Sequence, residues 1–322
     1  MSSVRTIVLE PWLDLAPLLE GFALQSVSLG PAGELCALAL GGKPELRHVA
    51  RSGASFGRVK SPQAHPVRVL TTRGGALSHL DVAPTKLNHF FAQPLPDDRW
   101  LLVASRCSRH SDGSADHNGA IVNGAGQLEC ELVLGDGIEH VQTTADGLIW
   151  AGYFDEGVFG NNGWGSNGVD PVGASGLVCF DEHGRVQSTY DARRAGTDDI
   201  CDCYALNVSE DGAWLCFYTD FPLVRLDRKG NAKVWPTPKK LRGVNVFAVG
   251  RGHVLLSGGY DKREQFFLYS LANPGKLTPK AEVHFKDKAG RLLGKRGAVA
   301  RGERLCFLEG TQLFKAELYE SF

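Results

Sequence analysis

Side chains able to bind a cation or move a proton gather in three stretches of this chain. The first offers His110, Asp112, Asp116 and His117, the second Asp155, Glu156, Asn161, Asn162, Trp164 and Asp170, and the third Asp198, Asp199 and Asp202. Oxygen donors of the Asp, Glu and Asn type suit Ca²⁺ or another hard divalent metal, whereas His combined with Asp suits Zn²⁺ or Fe²⁺. No fixed ligand spacing recurs among them, so they also read as solvated acidic loops. Cys201-Asp202-Cys203 lacks the spacer of Cys-x-x-Cys zinc and redox motifs and reads as packing. There is no Gly-rich phosphate loop, Gly-x-Ser-x-Gly elbow or His-Glu-x-x-His helix, which weakens the common hydrolase and kinase readings.

The elements that must position these residues form a repeat. A β-run, a tight turn and a strongly apolar β-run recur as 26–33 with 34–40, 92–98 with 99–105, 141–147 with 148–153, and 206–212 with 213–218. Two weaker copies turn at Arg251-Gly252 and Arg301-Gly302. Six such turns imply an all-β fold, a six-bladed β-propeller built as a single domain over residues 1–322. The blades fall near 22–73, 85–136, 137–192, 202–237, 243–286 and 294–320. The last copy runs out of chain before its outer strand, and the β-branched segment Val4 to Leu9 is expected to supply it, an N-terminal strand closing the last blade. Residues 11–21 read as a short helix or a crossing loop.

If the strands of a blade run A to D from the axis outward, the B–C and D–A connections share one rim. That rim receives the long segments 71–88, 105–119, 152–175 and 190–203, and long loops in a compact domain carry function more often than short turns do. Aligning the turns brings Gln93, Gln142 and Asn207 to one position, either lining an axial tunnel or tying each blade to its neighbour. His89, His140 and Tyr204 lie toward the elaborated rim on the same strands and are candidates for ligand contact at the tunnel mouth. Trp164, in the Gly/Asn-rich stretch 160–168, can lid a pocket or anchor its own loop.

Asp146-Gly147-Leu148-Ile149-Trp150-Ala151-Gly152-Tyr153, followed by Gly176-Leu177-Val178-Cys179-Phe180-Asp181, resembles the repeat of streptogramin-lyase-like and sensor-regulator propellers and, more broadly, of the NHL group. The resemblance implies the fold. It transfers no catalytic residue, because the lyase-like and gluconolactonase-like motifs have no residue-by-residue counterpart here.

Composition narrows the setting. Net charge is −1, hydrophobic residues make up 43% and charged residues 22%, so nothing global points to nucleic acid or an anionic membrane. Residues 129–220 carry 3 basic against 17 acidic side chains, and residues 225–301 carry 18 against 5. No apolar run reaches the ~18 residues of a membrane span, and no basic-then-apolar leader opens the chain. Eight scattered cysteines suit free thiols in a cytoplasmic protein. The leading expectation is a binding module for a small molecule, peptide or protein partner through His89, His140, Asp155, Glu156, Trp164, Asp202 and Tyr204. The alternative is a divalent-metal-dependent hydrolase, lactonase or lyase working at the tunnel mouth.

Overall fold

The computed structural model describes residues 3–49, 53, 55–166, 168–273 and 275–318. Leu35–Gly41, Arg99–Ala104, Ile149–Tyr153 and Gly212–Tyr218, the second strands of four repeats, are near-continuous apolar runs and mostly buried. A strand covered on both faces gains nothing from polar alternation. The outer strands Leu128–Leu132 and Val186–Thr189, by contrast, are polar and largely exposed. The sheets form six blades, the arrangement of a six-bladed β-propeller. No helix among the described residues is long and apolar enough to cross a membrane.

The chain divides into two compact units, residues 17–190 and residues 1–16 with 191–322. The first holds three blades. Blade one is Phe22–Leu29, Leu35–Gly41, Lys60–Thr71 and Ser78–Leu87; blade two is His89–Leu95, Arg99–Ala104, Gly119–Val122 and Leu128–Leu132; blade three is Ile138–Thr143, Ile149–Tyr153, Leu177–Phe180 and Val186–Thr189. Leu38, Val67 and Val69 pack against Trp100 and Leu102, while Leu101 and Ile121 pack against Ile138, Ile149 and Phe180. Gln93 is fully buried between these layers. Its Nε2 donates to Ser28 Oγ at 2.8 Å and its Oε1 accepts Thr143 N at 3.2 Å, so one amide ties three blades.

The segment 71–88 is not a long rim loop. Its residues Ser78–Leu87 are the outer strand of blade one, which therefore extends past residue 73. The insertion in this blade lies earlier, where Arg47–Val49 and Ser55–Gly57 pair as a small hairpin between the second and third strands. Strand Lys60–Thr71 is long and carries Pro62 and Pro66, which obscured its pairing in the sequence.

The second unit holds the other three blades. Blade four is Asp202–Ser209, Gly212–Tyr218, Leu223–Asp227 and Ala232–Trp235; blade five is Phe247–Gly250, His253–Ser257, Phe266–Asn273 and Lys276–Asp287; blade six begins with Ala298–Arg301, Arg304–Glu309 and Gln312–Glu317. Asn207 repeats the role of Gln93: its Nδ2 donates to Phe247 O at 2.9 Å and its Oδ1 accepts Gly302 N at 2.7 Å. Lys295, also buried, donates from Nζ to the carbonyls of Gly243, Gly258 and Gly259 at 2.7, 2.8 and 3.1 Å, pinning two loops of blade five.

An N-terminal strand does complete blade six, but it is Pro11–Asp14, paired antiparallel with Gln312–Glu317. Val4 to Leu9 belongs instead to Ser3–Leu9, a parallel strand on the outer edge of blade five beside Lys276–Asp287. The twelve-residue outer strand of blade five leaves an edge long enough for seven residues, and Ile7 and Leu9 sink into the core of Phe266, Phe285 and Phe307. The short segment that follows then reaches the gap in blade six, where Leu15 is fully buried.

Candidate functional site

The inner strands of blades one to four carry the same irregularity. In blade one, Leu24 faces Ala39 and Ser26 faces Leu38, leaving Gln25 without an opposite residue. Phe90, Glu139 and Tyr204 are skipped in the same way in blades two, three and four. Each is the extra residue of a β-bulge, and each lies three positions before Ser28, Gln93, Gln142 or Asn207. A bulge breaks strand alternation and re-aims the side chain it adds.

In the unit of residues 17–190, Gln25, Phe90 and Glu139 share one cavity of about 440 Å³. Phe91, Phe154 and the hairpin residue Phe56 add aromatic wall, and Arg47, Arg58, Arg106, His89 and Glu156 add polar groups. A concave site of this size with apolar walls and a few convergent polar groups is the usual build of a small-ligand pocket.

Arg106 organises one side. Immediately after the second strand of blade two, its Nη2 donates to Asp136 Oδ2 at 3.0 Å, its Nη1 donates to Glu156, and its guanidinium lies over the Phe154 ring at 5.4 Å. Asp136 is buried and also accepts Cys107 N at 2.8 Å and Asn162 Nδ2 at 3.2 Å. Burial raises the Asp136 carboxyl above its ordinary value even against the pull of Arg106. For Glu156 burial acts in the same direction, but hydrogen bonds from Arg106 and Asn161 outweigh it and leave the group below its ordinary value. Gly137 and Gly157 allow the close approach: a Cβ on Gly157 would stand 2.5 Å from Asp136 O. The short helix Asp155–Phe159 can therefore press against the turn at 136–137 and bring Glu156 to Arg106.

The two long loops of this rim are thus bound to each other. Asn118, fully buried, donates to Ala104 O at 3.0 Å and Gly135 O at 2.9 Å and accepts Leu134 N at 2.9 Å. Trp164 Nε1 donates to Cys107 O at 2.9 Å, so the indole anchors its loop. Asp116 is held by Lys60 at 2.7 Å, and Asp112 closes its own turn on Ser114. Among the described residues no group of three or more His, Cys, Asp or Glu is arranged to hold a metal ion.

Two groups in the cavity stand apart from this network. His89 is 2% exposed, and neither ring nitrogen has a hydrogen-bond partner. Burial, reinforced by His65 nearby, pushes its pKa down to about 3, so the ring is neutral. Glu139 is exposed to solvent at the cavity, and the protein packed around it displaces part of its hydration and pushes its pKa up to about 7.

The residues expected from the sequence are distributed as follows. His89 and Glu156 line the cavity. Asp155 is exposed at the start of its helix, where it accepts Glu156 N at 2.8 Å, and His140 is the paired residue just after the Glu139 bulge. Asp202 and Tyr204 stand on the inner strand of blade four in the other unit. There the Tyr260 hydroxyl donates to Tyr204 at 2.9 Å, and Tyr204 packs edge-on to Phe221. Sequence reasoning missed Gln25, Phe90, Glu139, Arg106 and Asp136. The bulge hid the first three, because strict alternation drew attention to the neighbours of Phe90 and Glu139, while the equal spacing to the repeated amides was a usable signal.

Residues 177–316, less than half of the chain, match a family model described as the YxzG family. No curated protein matches. Among solved structures, the β-propeller domain of Cps50 (Swd1) from Myceliophteria thermophila is 10% identical with a TM-score of 0.50, covering 92% of this chain and 84% of that one. YCF48 bound to D1 peptide is 8% identical, TM-score 0.49, over 98% and 99%. Virginiamycin B lyase from Staphylococcus aureus is 8% identical, TM-score 0.42, over 95% and 97%. At such identities the likeness to the Cps50 domain shows the propeller fold alone.

Proposed function

We propose that this chain is a ligand-binding propeller whose site is the rim cavity of blades one to three. The observation that carries this reading is His89: a buried imidazole with both nitrogens unpartnered lines a cavity that phenylalanines and the Arg106–Glu156 pair also line. Leaving a buried polar group unbonded costs about 1–3 kcal/mol, and a ligand seated against the ring recovers that cost. Glu156, fixed by Arg106, and Glu139 supply further polar contacts, and the bulges aim three side chains from three blades at one ligand. A small molecule, or one side chain of a peptide or protein partner, matches a volume of about 440 Å³.

Thermal-shift screening of a metabolite and peptide library against the full chain tests the reading, with Gln25→Trp filling the cavity from blade one. Stabilising hits should vanish in the filled variant while its own melting stays close to that of the parent. Hits that persist unchanged in Gln25→Trp would place binding elsewhere and end the proposal.

A further inference from the structure

We infer that the ligand of the rim cavity presents a cationic nitrogen, an alkylammonium or guanidinium on an apolar arm, to the carboxylate of Glu139. The inference rests on reading the cavity as a binding site and adds the chemistry of its occupant.

The charges already present leave one acid over. Glu156 is neutralised by Arg106, which also serves Asp136, and Arg58 faces Glu45 at 3.4 Å. Glu139 has no ion pair or hydrogen bond among the described residues, although two of the cavity's three arginines are engaged with other acids. The third, Arg47, sits on the exposed hairpin and spends Nε and Nη2 on Ser55 at 2.8 and 2.9 Å. A solvent-exposed carboxylate on the wall of a cavity, with no counter-ion of its own, is open to an incoming cation.

The walls say what the cation is attached to. Phe90, 39% exposed, comes from the bulge beside the one carrying Glu139, and its ring meets Phe91 edge-on at 4.9 Å between centroids. Phe154 already carries a guanidinium over its face, so this wall accepts cations. A bare hydrated metal ion would gain nothing from these rings, whereas an organic cation gains from both carboxylate and rings. The neutral His89 adds a hydrogen bond to a polar group of the ligand without repelling its charge.

The test is a charge-matched panel titrated into the full chain and followed by calorimetry and by amide shifts of residues around the cavity. The probes are phenethylamine, agmatine, 3-phenylpropanol, 3-phenylpropionate and the capped peptide acetyl-Ala-Lys-Ala-amide. At least one cationic probe should bind tenfold or more tighter than the alcohol and the acid, and Glu139→Gln should remove that advantage. Gln25→Glu, which places a second carboxylate on the neighbouring bulge, should tighten the cation and keeps the test open if Glu139→Gln folds poorly. Binding of the peptide alone identifies a basic side chain as the source, and binding of the free amines alone identifies a small metabolite; both support the inference. Alcohol or acid binding as tightly as the cations, or cation binding indifferent to Glu139→Gln and Gln25→Glu, overturns it and leaves the cavity reading standing. If no probe of any charge shifts the cavity residues, both readings fall.

Discussion

Arg106 and Asp136 form an ion pair of 3.0 Å in which the two side chains are only 15% and 1% exposed. Asp136 stands between the blade-two loop, through Cys107 N, and the blade-three loop, through Asn162 Nδ2. Arg106 extends the same network to Glu156 on the cavity wall. A single buried carboxylate therefore sets the position of two loops that chain topology leaves independent.

Removing one partner of such a pair strands the other, and the expected cost is about 3–5 kcal/mol. Arg106→Met should lower stability by that order in urea unfolding. Asp136→Asn, which keeps most hydrogen bonds and leaves Arg106 on Glu156, should cost clearly less. Equal and small losses in both variants would show that the loops do not depend on this pair.

The propeller was legible because its evidence is periodic: six apolar second strands and their Gly or Asp turns survive any single error. The cavity was only partly legible. His89 and Glu156 stood out by residue type, but Glu139 sits between Ile138 and His140 in a strand whose regular alternation is broken by the bulge itself. Asp136 carries no local signal, because its partners at 106, 107 and 162 are distant in sequence. The swap of N-terminal strands has a similar cause. Val4 to Leu9 reads correctly as a strand, but which blade takes it depends on the length of the open edges.

Acid should destabilise the protein through His89. The ring titrates near 6.5 when unfolded and at about 3 when folded, so the unfolded chain binds the extra proton in between. Stability is held above pH 6.5 and lost as pH falls below it, by about 2 kcal/mol between pH 7 and pH 5. His65, also lowered by burial, acts with the same sign. His89→Phe should raise the melting temperature relative to the parent more at pH 5 than at pH 7.5. A difference independent of pH would show that the ring is protonated, or exposed, in the folded state.

Glu139 has the opposite sign. Its folded pKa of about 7 lies above the usual carboxylate value, so the folded chain holds the proton more tightly. The cost of its charge is absent below about pH 4.5, grows as pH rises to about 7 and is constant above. Glu139→Gln should match the parent in melting at pH 4.5 and exceed it at pH 8. A Glu139→Gln protein less stable than the parent at pH 8 would show that the carboxylate has a partner that supports the fold.

The two N-terminal strands make separable contributions to the unit containing blades four to six. Ser3–Leu9 adds a fifth strand to a blade already complete, with Val4 and Val8 exposed at 67% and 59% and only Ile7 and Leu9 turned toward the core. Pro11–Asp14 instead provides the fourth strand of blade six, and Leu15 beyond it is fully buried with its N–H on Thr311 O at 2.9 Å. Deleting residues 1–9 should lower the melting temperature yet leave a soluble monomer. Deleting residues 1–15 should also uncover the edge of Gln312–Glu317, empty the Leu15 site and produce an aggregating chain, because a bare sheet edge beside an unfilled core recruits other strands. Leu15→Ala in the full-length chain isolates the core contribution, expected at about 2–5 kcal/mol for a fully buried leucine. Size-exclusion chromatography and melting of the three proteins decide the matter: a 1–9 deletion as damaging as 1–15 would mean that the parallel strand on blade five, rather than the closure of blade six, is what this unit cannot lose.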